Sequence, residues 1–244
     1  MDNDTVELIR KLEGISQKGP IPVRSRGSNA VGKMLQEELG IKHDTKKKNR
    51  LHGYTVSSKS KSRLNLFASV PNWERSKFKS STEVVKALGK ANEAKGYERA
   101  LFCTVSGRGA NTFGLYLKYN AQDSTIEEWL ADEHGDQCLL VWDVHVLHSK
   151  LTKIGRRALV TATRVDLAGV RAVHFRYVEV MDAPKLEQFT NLISRGAITL
   201  DHLISLKFGD NAGREQGPMF KIIPDALELL HGPIKKIDLM DISV

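Results

Sequence analysis

The chain has 244 residues, 41% of them hydrophobic, and a net charge of +8 at neutral pH. No apolar run approaches the roughly 18–20 residues of a membrane span and no charged-then-apolar leader opens the sequence, so a cytoplasmic protein without membrane contact is expected. The two cysteines, Cys103 and Cys138, sit in the apolar stretches ALFCTV and CLLVW and read as buried free thiols of a reducing compartment.

Val6, Ile9, Leu12 and Ile15 recur at helical spacing, which predicts an amphipathic N-terminal helix. KGPIPVRSRGSN reads as a loop punctuated by Gly19, Pro20 and Pro22. A second helix is expected over residues 29–39, closed by Gly40, before the exposed polar run KHDTKKKNR. Strands are expected at 51–57 and 63–70, joined by SKSKS. After the turn at Pro71, Ser81 or Thr82 should cap a helix through Val84, Val85 and Leu88. Further strands are expected at 100–106, 114–119, 126–130 and 138–142, and Asp143 can cap a helix through Leu147 and Leu151. Residues 158–165 and 170–180 read as a hairpin turning over 166–169. A helix at 184–194, an apolar segment at 198–206, the glycine-rich loop FGDNAGREQGP and a last helix–strand pair complete the chain. Strands and helices mix without strict alternation, so the class is α+β, or mixed α/β, with a central sheet.

The charge is unevenly spread. Residues 24–63 hold eleven basic side chains against three acidic ones, a surplus equal to the net charge of the whole chain. Positive charge concentrated this way attracts a polyanion, nucleic acid being the commonest, although a solvated face has the same composition.

Common catalytic patterns are missing: there is no phosphate-binding loop, dinucleotide glycine fingerprint, H-E-x-x-H, C-x-x-C or G-x-S-x-G. His145 and His148 have the i, i+3 spacing of a metal pair but no third ligand in view. His202, within TLDHLI, reads as a packed core histidine, and SGRGANTFG as a loop between strands.

One stretch is specific. The helix GSNAVGKMLQEELGI, a basic loop, LHGYTVSS and then SRLNLFASVPNW closely resemble the MvaI/BcnI family of restriction endonucleases, relatives of the MutH nickase in the PD-(D/E)XK superfamily. The resemblance continues through ALFCTVSGRGANTFGLYL, GAITLDHLI and GREQGPMFKII, covering nearly the whole chain in the family's order. It implies a restriction-endonuclease-like core, a central mixed sheet flanked by helices. It also implies two lobes around a DNA cleft, a catalytic-type lobe over about 1–150 and a recognition lobe over about 151–244.

The resemblance also exposes a departure. Nucleases of this family carry an acid on the early helix, an Asp at the start of the first strand, then Glu-x-Lys along it. Carboxylate oxygens hold Mg²⁺, and the lysine steadies the attacking water. The matching positions here are Gln36, Arg50, Thr55 and Ser57: an amide, a cation and two hydroxyls. The implied centre therefore lacks its metal ligands, and no cofactor is expected. At the other end Arg214, Gln216 and Lys221 match a region that reaches base edges in the family.

The resulting expectation is a monomeric duplex-DNA-binding protein that does not cleave. It would read a sequence or a modified base, as a regulator or as part of a larger defence complex. Lys46, Lys47, Lys48, Arg50, Lys59, Lys61 and Arg63 would contact phosphates, with Arg50 standing where a metal ligand stood. Two alternatives stay open. One is a working Mg²⁺-dependent endonuclease or nickase that recruits Glu37, Glu38, Asp44 and His52. The other is a protein whose former DNA cleft receives RNA or another protein.

Overall fold

A computed structural model describes residues 1–24, 27, 30–41, 50–59, 62–215 and 217–241. Lys46, Lys47, Lys48, Lys61, Gln216 and Asp44 lie outside the described residues.

The N-terminal helix forms as its spacing predicts. In α1 (Asn3–Ser16) the Asp2 side chain accepts from the Thr5 amide, and Leu8, Ile9, Leu12 and Ile15 are buried. The expected loop holds a two-residue strand, β1 (Ile21–Pro22). Next comes α2 (Ala30–Glu38). Gly40, at φ +68°, ends it: the Ile41 amide reaches the Gln36 carbonyl at 2.9 Å and the Gly40 amide that of Glu37 at 3.0 Å, a Schellman closure.

The strand expected at 51–57 is split. His52 and Gly53 take positive φ (46° and 74°) and turn the chain between β2 (Arg50–Leu51) and β3 (Tyr54–Ser58). Then come β4 (Leu64–Ala68) and α3 (Ser81–Leu88), whose cap is Ser80, one residue before the expected pair, because its hydroxyl reaches the Glu83 amide. Next are β5 (Lys90–Asn92), β6 (Tyr97–Val105), β7 (Leu115–Asn120), β8 (Thr125–Leu130), β9 (Gln137–Asp143) and α4 (Val144–Thr152). Asp143 holds the N-cap position of α4 without capping it; its carboxylate accepts instead from Asn72 and Arg75. The expected hairpin is β10 (Arg156–Leu167) and β11 (Val170–Met181), turning at Ala168 and Gly169. After α5 (Phe189–Ser194) come β12 (Ile198–Lys207), β13 (Arg214–Glu215), β14 (Met219–Ile222), α6 (Leu227–His231) and β15 (Lys235–Asp238).

The class is mixed α+β, as expected, but the strands divide among three sheets. One runs β1-β11-β10-β3-β2 with β15 on β11, the second β4-β14-β12-β6-β5 with β13 on β12, the third β7-β8-β9. The strands flanking SKSKS, β3 and β4, therefore belong to different sheets. β3 and β10 form a parallel pair, Tyr54 opposite Arg156 through Ser58 opposite Val160.

That pair sets the division of the chain. Parallel neighbours need a long crossover, and here everything from Ser62 to Lys153 intervenes. One compact unit comprises Met1–Lys61, Ile154–Pro184 and His231–Val244; the other comprises Ser62–Lys153 and Lys185–Leu230. The chain thus passes between the units four times. In the first unit α1 and α2 cover one sheet face, burying Leu12, Met34 and Leu35 against Tyr54, Val56, Ala158, Val160 and Phe175. In the second, Trp142, Phe189 and Phe220 form the aromatic centre, and the Trp142 indole donates to the Ser69 carbonyl at 2.8 Å. Cys103 and Cys138 are free and only partly buried; burial first, then neighbouring carboxylates, push their thiols up to about 12 and about 11. Among the described residues no helix is long and apolar enough to cross a membrane.

Candidate nucleic-acid interface

Three of the four positions matched to the family's metal centre lie on one β-pair. Arg50 stands directly opposite Thr55, and Ser57 follows on the same face of β3. Tyr54 and Val56 face the helix-covered core, so Thr55 and Ser57 point to the other side of the sheet. The Thr55 hydroxyl is spent on the Ile154 carbonyl at 2.8 Å. Arg50 is exposed, and its guanidinium passes within 3.6 Å of where a Cβ on Gly155 would sit. Gln36 comes from α2, which packs on the opposite face; its Oε1 is buried with no hydrogen-bond partner among the described residues.

The charge beside this hairpin is cationic. Arg157, next to Thr55 in register, is 6% exposed, and burial pushes its guanidinium down to about 10. Glu179 lies one strand beyond Leu159 on the Ser57 row; Lys59 binds it at 2.5 Å and Lys236 approaches to 4.0 Å. The donor set on this face is thus two hydroxyls, several cations and one carboxylate already flanked by lysines, with the Gln36 amide on a helix of the other face. Mg²⁺ takes near-octahedral oxygen ligation with carboxylates to balance its charge, and these residues do not fit it.

Among the described residues, Glu37, Glu38 and His52 of the sequence reading do not form a cluster here. Glu37 is exposed, Glu38 pairs with Lys18 at 2.7 Å, and His52 sits in the β2–β3 turn with Nε2 buried and unpartnered among the described residues. No group of three or more His, Cys, Asp or Glu is placed to hold a metal ion among the described residues. His145 is exposed on α4, whereas His148 lies edge-on to Phe189 with ring centroids 6.0 Å apart.

A second polar cluster, invisible to the sequence reading, sits on the other six-stranded sheet. Asp201 of β12 stands opposite Thr104 of β6, and Thr199 stands opposite Lys221 of β14. Arg63, just before β4, sends Nη1 to Thr199 Oγ1 (2.6 Å) and Asp201 Oδ1 (2.9 Å), and Nη2 to Thr104 Oγ1 (2.9 Å) and Asp201 Oδ2 (3.4 Å). Lys221 Nζ meets Asp201 Oδ2 at 2.7 Å. Burial would raise the Asp201 carboxyl, but the hydrogen bonds from Lys221 and Thr104 and the Arg63 charge outweigh it and hold it low. Arg63, read from sequence as a phosphate contact, therefore has its guanidinium engaged within the sheet. Lys59 is likewise engaged by Glu179, while Arg214 is exposed and 3.5 Å from Asp210. The available sequence signal was an aspartate in the middle of an apolar strand, ITLDHLISL, where a charge needs partners.

His202, the next residue, points the other way and is the core histidine expected. Its Nε2 lies 2.7 Å from Glu128 Oε2, both side chains having no exposed surface.

No curated protein matches the chain. Solved structures that share its fold include two of the restriction endonuclease MvaI. The restriction endonuclease MvaI in complex with cognate DNA superposes with a TM-score of 0.79 at 17% identity, covering 98% of this chain and 99% of that one. MvaI in the absence of DNA gives 0.60 at 18% identity, covering 97% and 98%. The profile of the MvaI/BcnI restriction endonuclease family matches residues 9–231. Residues, fold and profile agree: the chain belongs to the MvaI/BcnI restriction endonuclease family.

Proposed function

We propose that this protein binds duplex DNA and does not cut it. The observation that carries the reading is the β2–β3 hairpin, where Arg50 and Thr55 stand as a register pair at the positions matched to the family's metal-binding acids, with Ser57 at the lysine position. A guanidinium there can neutralise a backbone phosphate electrostatically, without activating a water. The relative solved with its cognate DNA supports duplex DNA as the partner. Lys46, Lys47, Lys48, Arg50 and Lys61 are the phosphate contacts of this reading, and Arg214, Gln216 and Lys221 the base contacts. The protein acts as a monomer in the cytoplasm, reading a sequence or a modified base for regulation or defence.

Plasmid DNA incubated with the purified protein and Mg²⁺ or Mn²⁺ should stay supercoiled. One observation favours the rival: Glu179 and Lys59 form an acid–lysine pair on the same sheet face as Thr55 and Ser57. Metal-dependent nicking that co-purifies with the protein and disappears in Glu179→Gln or Glu37→Gln would establish a nuclease and end the proposal.

The register can be tested separately. Gln36→Glu, Arg50→Asp, Thr55→Glu and Ser57→Lys together should create Mg²⁺ affinity measurable by calorimetry, carried by the carboxylates at 50 and 55 that stand opposite each other, and single changes should create almost none. Restored scission should stay weak, since about 1 Å of misplacement costs ~100-fold in rate. A folded quadruple variant that binds DNA but no added Mg²⁺ would refute the assignment of these four positions.

A further inference from the structure

We propose that Asp201 is a positioning residue for base recognition: it fixes the direction of Lys221, while Arg63 and Thr104 fix Asp201. This rests on the duplex-DNA reading above and names the part of the protein that sets sequence preference.

The assignment follows from counting donors and acceptors. Asp201 Oδ1 accepts from Arg63 Nη1 and Thr104 Oγ1, at 2.9 and 2.8 Å. Its Oδ2 accepts from Lys221 Nζ at 2.7 Å and more distantly from Arg63 Nη2. A carboxylate offers about four lone-pair sites, so this one has no capacity left for a ligand. Arg63 has its four terminal N–H groups committed to Thr199, Thr104 and Asp201, leaving only its Nε–H. Lys221 differs: an ammonium carries three N–H donors, and its contact with Asp201 uses one. It is the cation of the cluster with more than one donor to offer. The strands beneath are packed down on the opposite side, where Ile198, Leu200, Phe220 and Ile222 are fully buried.

The pairing makes little sense for phosphate attraction. An adjacent carboxylate cancels most of a lysine's pull on a distant anion, and phosphate contacts are served well by flexible, unpaired lysines. What the carboxylate supplies is direction. A lysine on a four-carbon stem samples many rotamers, whereas reading guanine O6 and N7 requires the ammonium at one place. The Lys221 side chain is 21% exposed and that of Asp201 10%, so the lysine keeps about twice the fractional surface of its anchor.

The test begins with the preferred duplex, selected from random DNA. Affinity for that duplex and for a scrambled one is then measured for the parent, Asp201→Asn, Lys221→Met and the double variant. Lys221→Met should lose about 5- to 150-fold on the preferred duplex and little on the scrambled one. Asp201→Asn should lose selectivity in the same way while keeping or raising scrambled-duplex affinity, since it removes a negative charge; a general packing defect would weaken both. The double variant should be no worse than Lys221→Met. Multiplicative losses, or equal weakening of both duplexes by Asp201→Asn, would overturn the proposal. Should Asp201→Asn fail to fold, Thr104→Val removes one donor to Asp201 at little change in volume and should reduce selectivity in the same direction; unchanged selectivity overturns the proposal equally. Duplex binding without sequence preference removes this inference alone, and absence of duplex binding removes the proposed function with it.

Discussion

Raising the salt from 50 to 200 mM is expected to weaken duplex binding by roughly three to four orders of magnitude. Each phosphate neutralised by a lysine or arginine releases condensed counterions, and contact with roughly five to eight phosphates gives a log–log slope of about −5 to −7. The basic surplus between residues 24 and 63 is large enough for this. Its members are not equivalent. Lys59 is bound to Glu179 and Arg63 to Asp201, so in the proposed reading most of the steep term is assigned to the lysine run at 46–48. Replacing Lys46, Lys47 and Lys48 together with alanine should flatten the slope by about 3 units without altering which sequences are preferred. Fluorescence-anisotropy titrations over a salt series measure both quantities. A parent slope near zero would show that binding, if any, does not use the phosphate backbone.

Replacing Glu128 with glutamine, or His202 with leucine, should cost about 3–5 kcal/mol, because either leaves a group stranded in a site with no access to water. For a folding unit of this size that is a fall in Tm of roughly 6–20 °C. Replacing both with apolar residues of similar volume should recover most of the loss, since desolvating the two charges is itself expensive. The pH dependence separates an ion pair from mere packing. Burial lowers the His202 imidazole, but Glu128 outweighs it, through both charge and hydrogen bond, and raises it above the ordinary histidine value. A group raised on folding stabilises fully below its unfolded pKa and loses that contribution as the pH climbs through the folded one. Parent stability, followed by urea denaturation, should therefore fall from slightly acidic to alkaline pH, and the doubly apolar variant should show much less of this fall. An identical pH profile in both would mean that His202 is neutral in the folded protein.

The legible parts of the fold were those with a local signature. The apolar spacing of α1, the Gly40 closure of α2 and the β10–β11 hairpin each lie within a short window, and each formed nearly as expected. The His52–Gly53 turn also carried a signal, a glycine inside an apparent strand, and reading it would have divided β2 from β3. What could not be read was pairing at long range. Nothing in SKSKS marks the passage from one sheet to another, and nothing in β3 identifies β10 as its partner. The site divides the same way. That Thr55 and Ser57 share one strand face follows from strand periodicity alone, while the register of Arg50 with Thr55 needed the His52–Gly53 turn. The Arg63–Asp201–Lys221 cluster joins three stretches far apart in sequence, so Lys221 was singled out as a base contact without the carboxylate that holds it.

The interleaving of the two units has a consequence for synthesis. Tyr54 and Arg156, partners in register, lie 102 residues apart. At about 5–20 residues per second of translation, β3 waits roughly 5–20 seconds for β10. During that interval the apolar faces of α1 and α2 and the inner face of β3 have no sheet to cover them. Nor can the other unit finish early, because β12 and β14, its central strands, are made after β10 and β11. Refolding from denaturant should be slow for the same reason, with a rate set by distant strand pairing and not by helix formation.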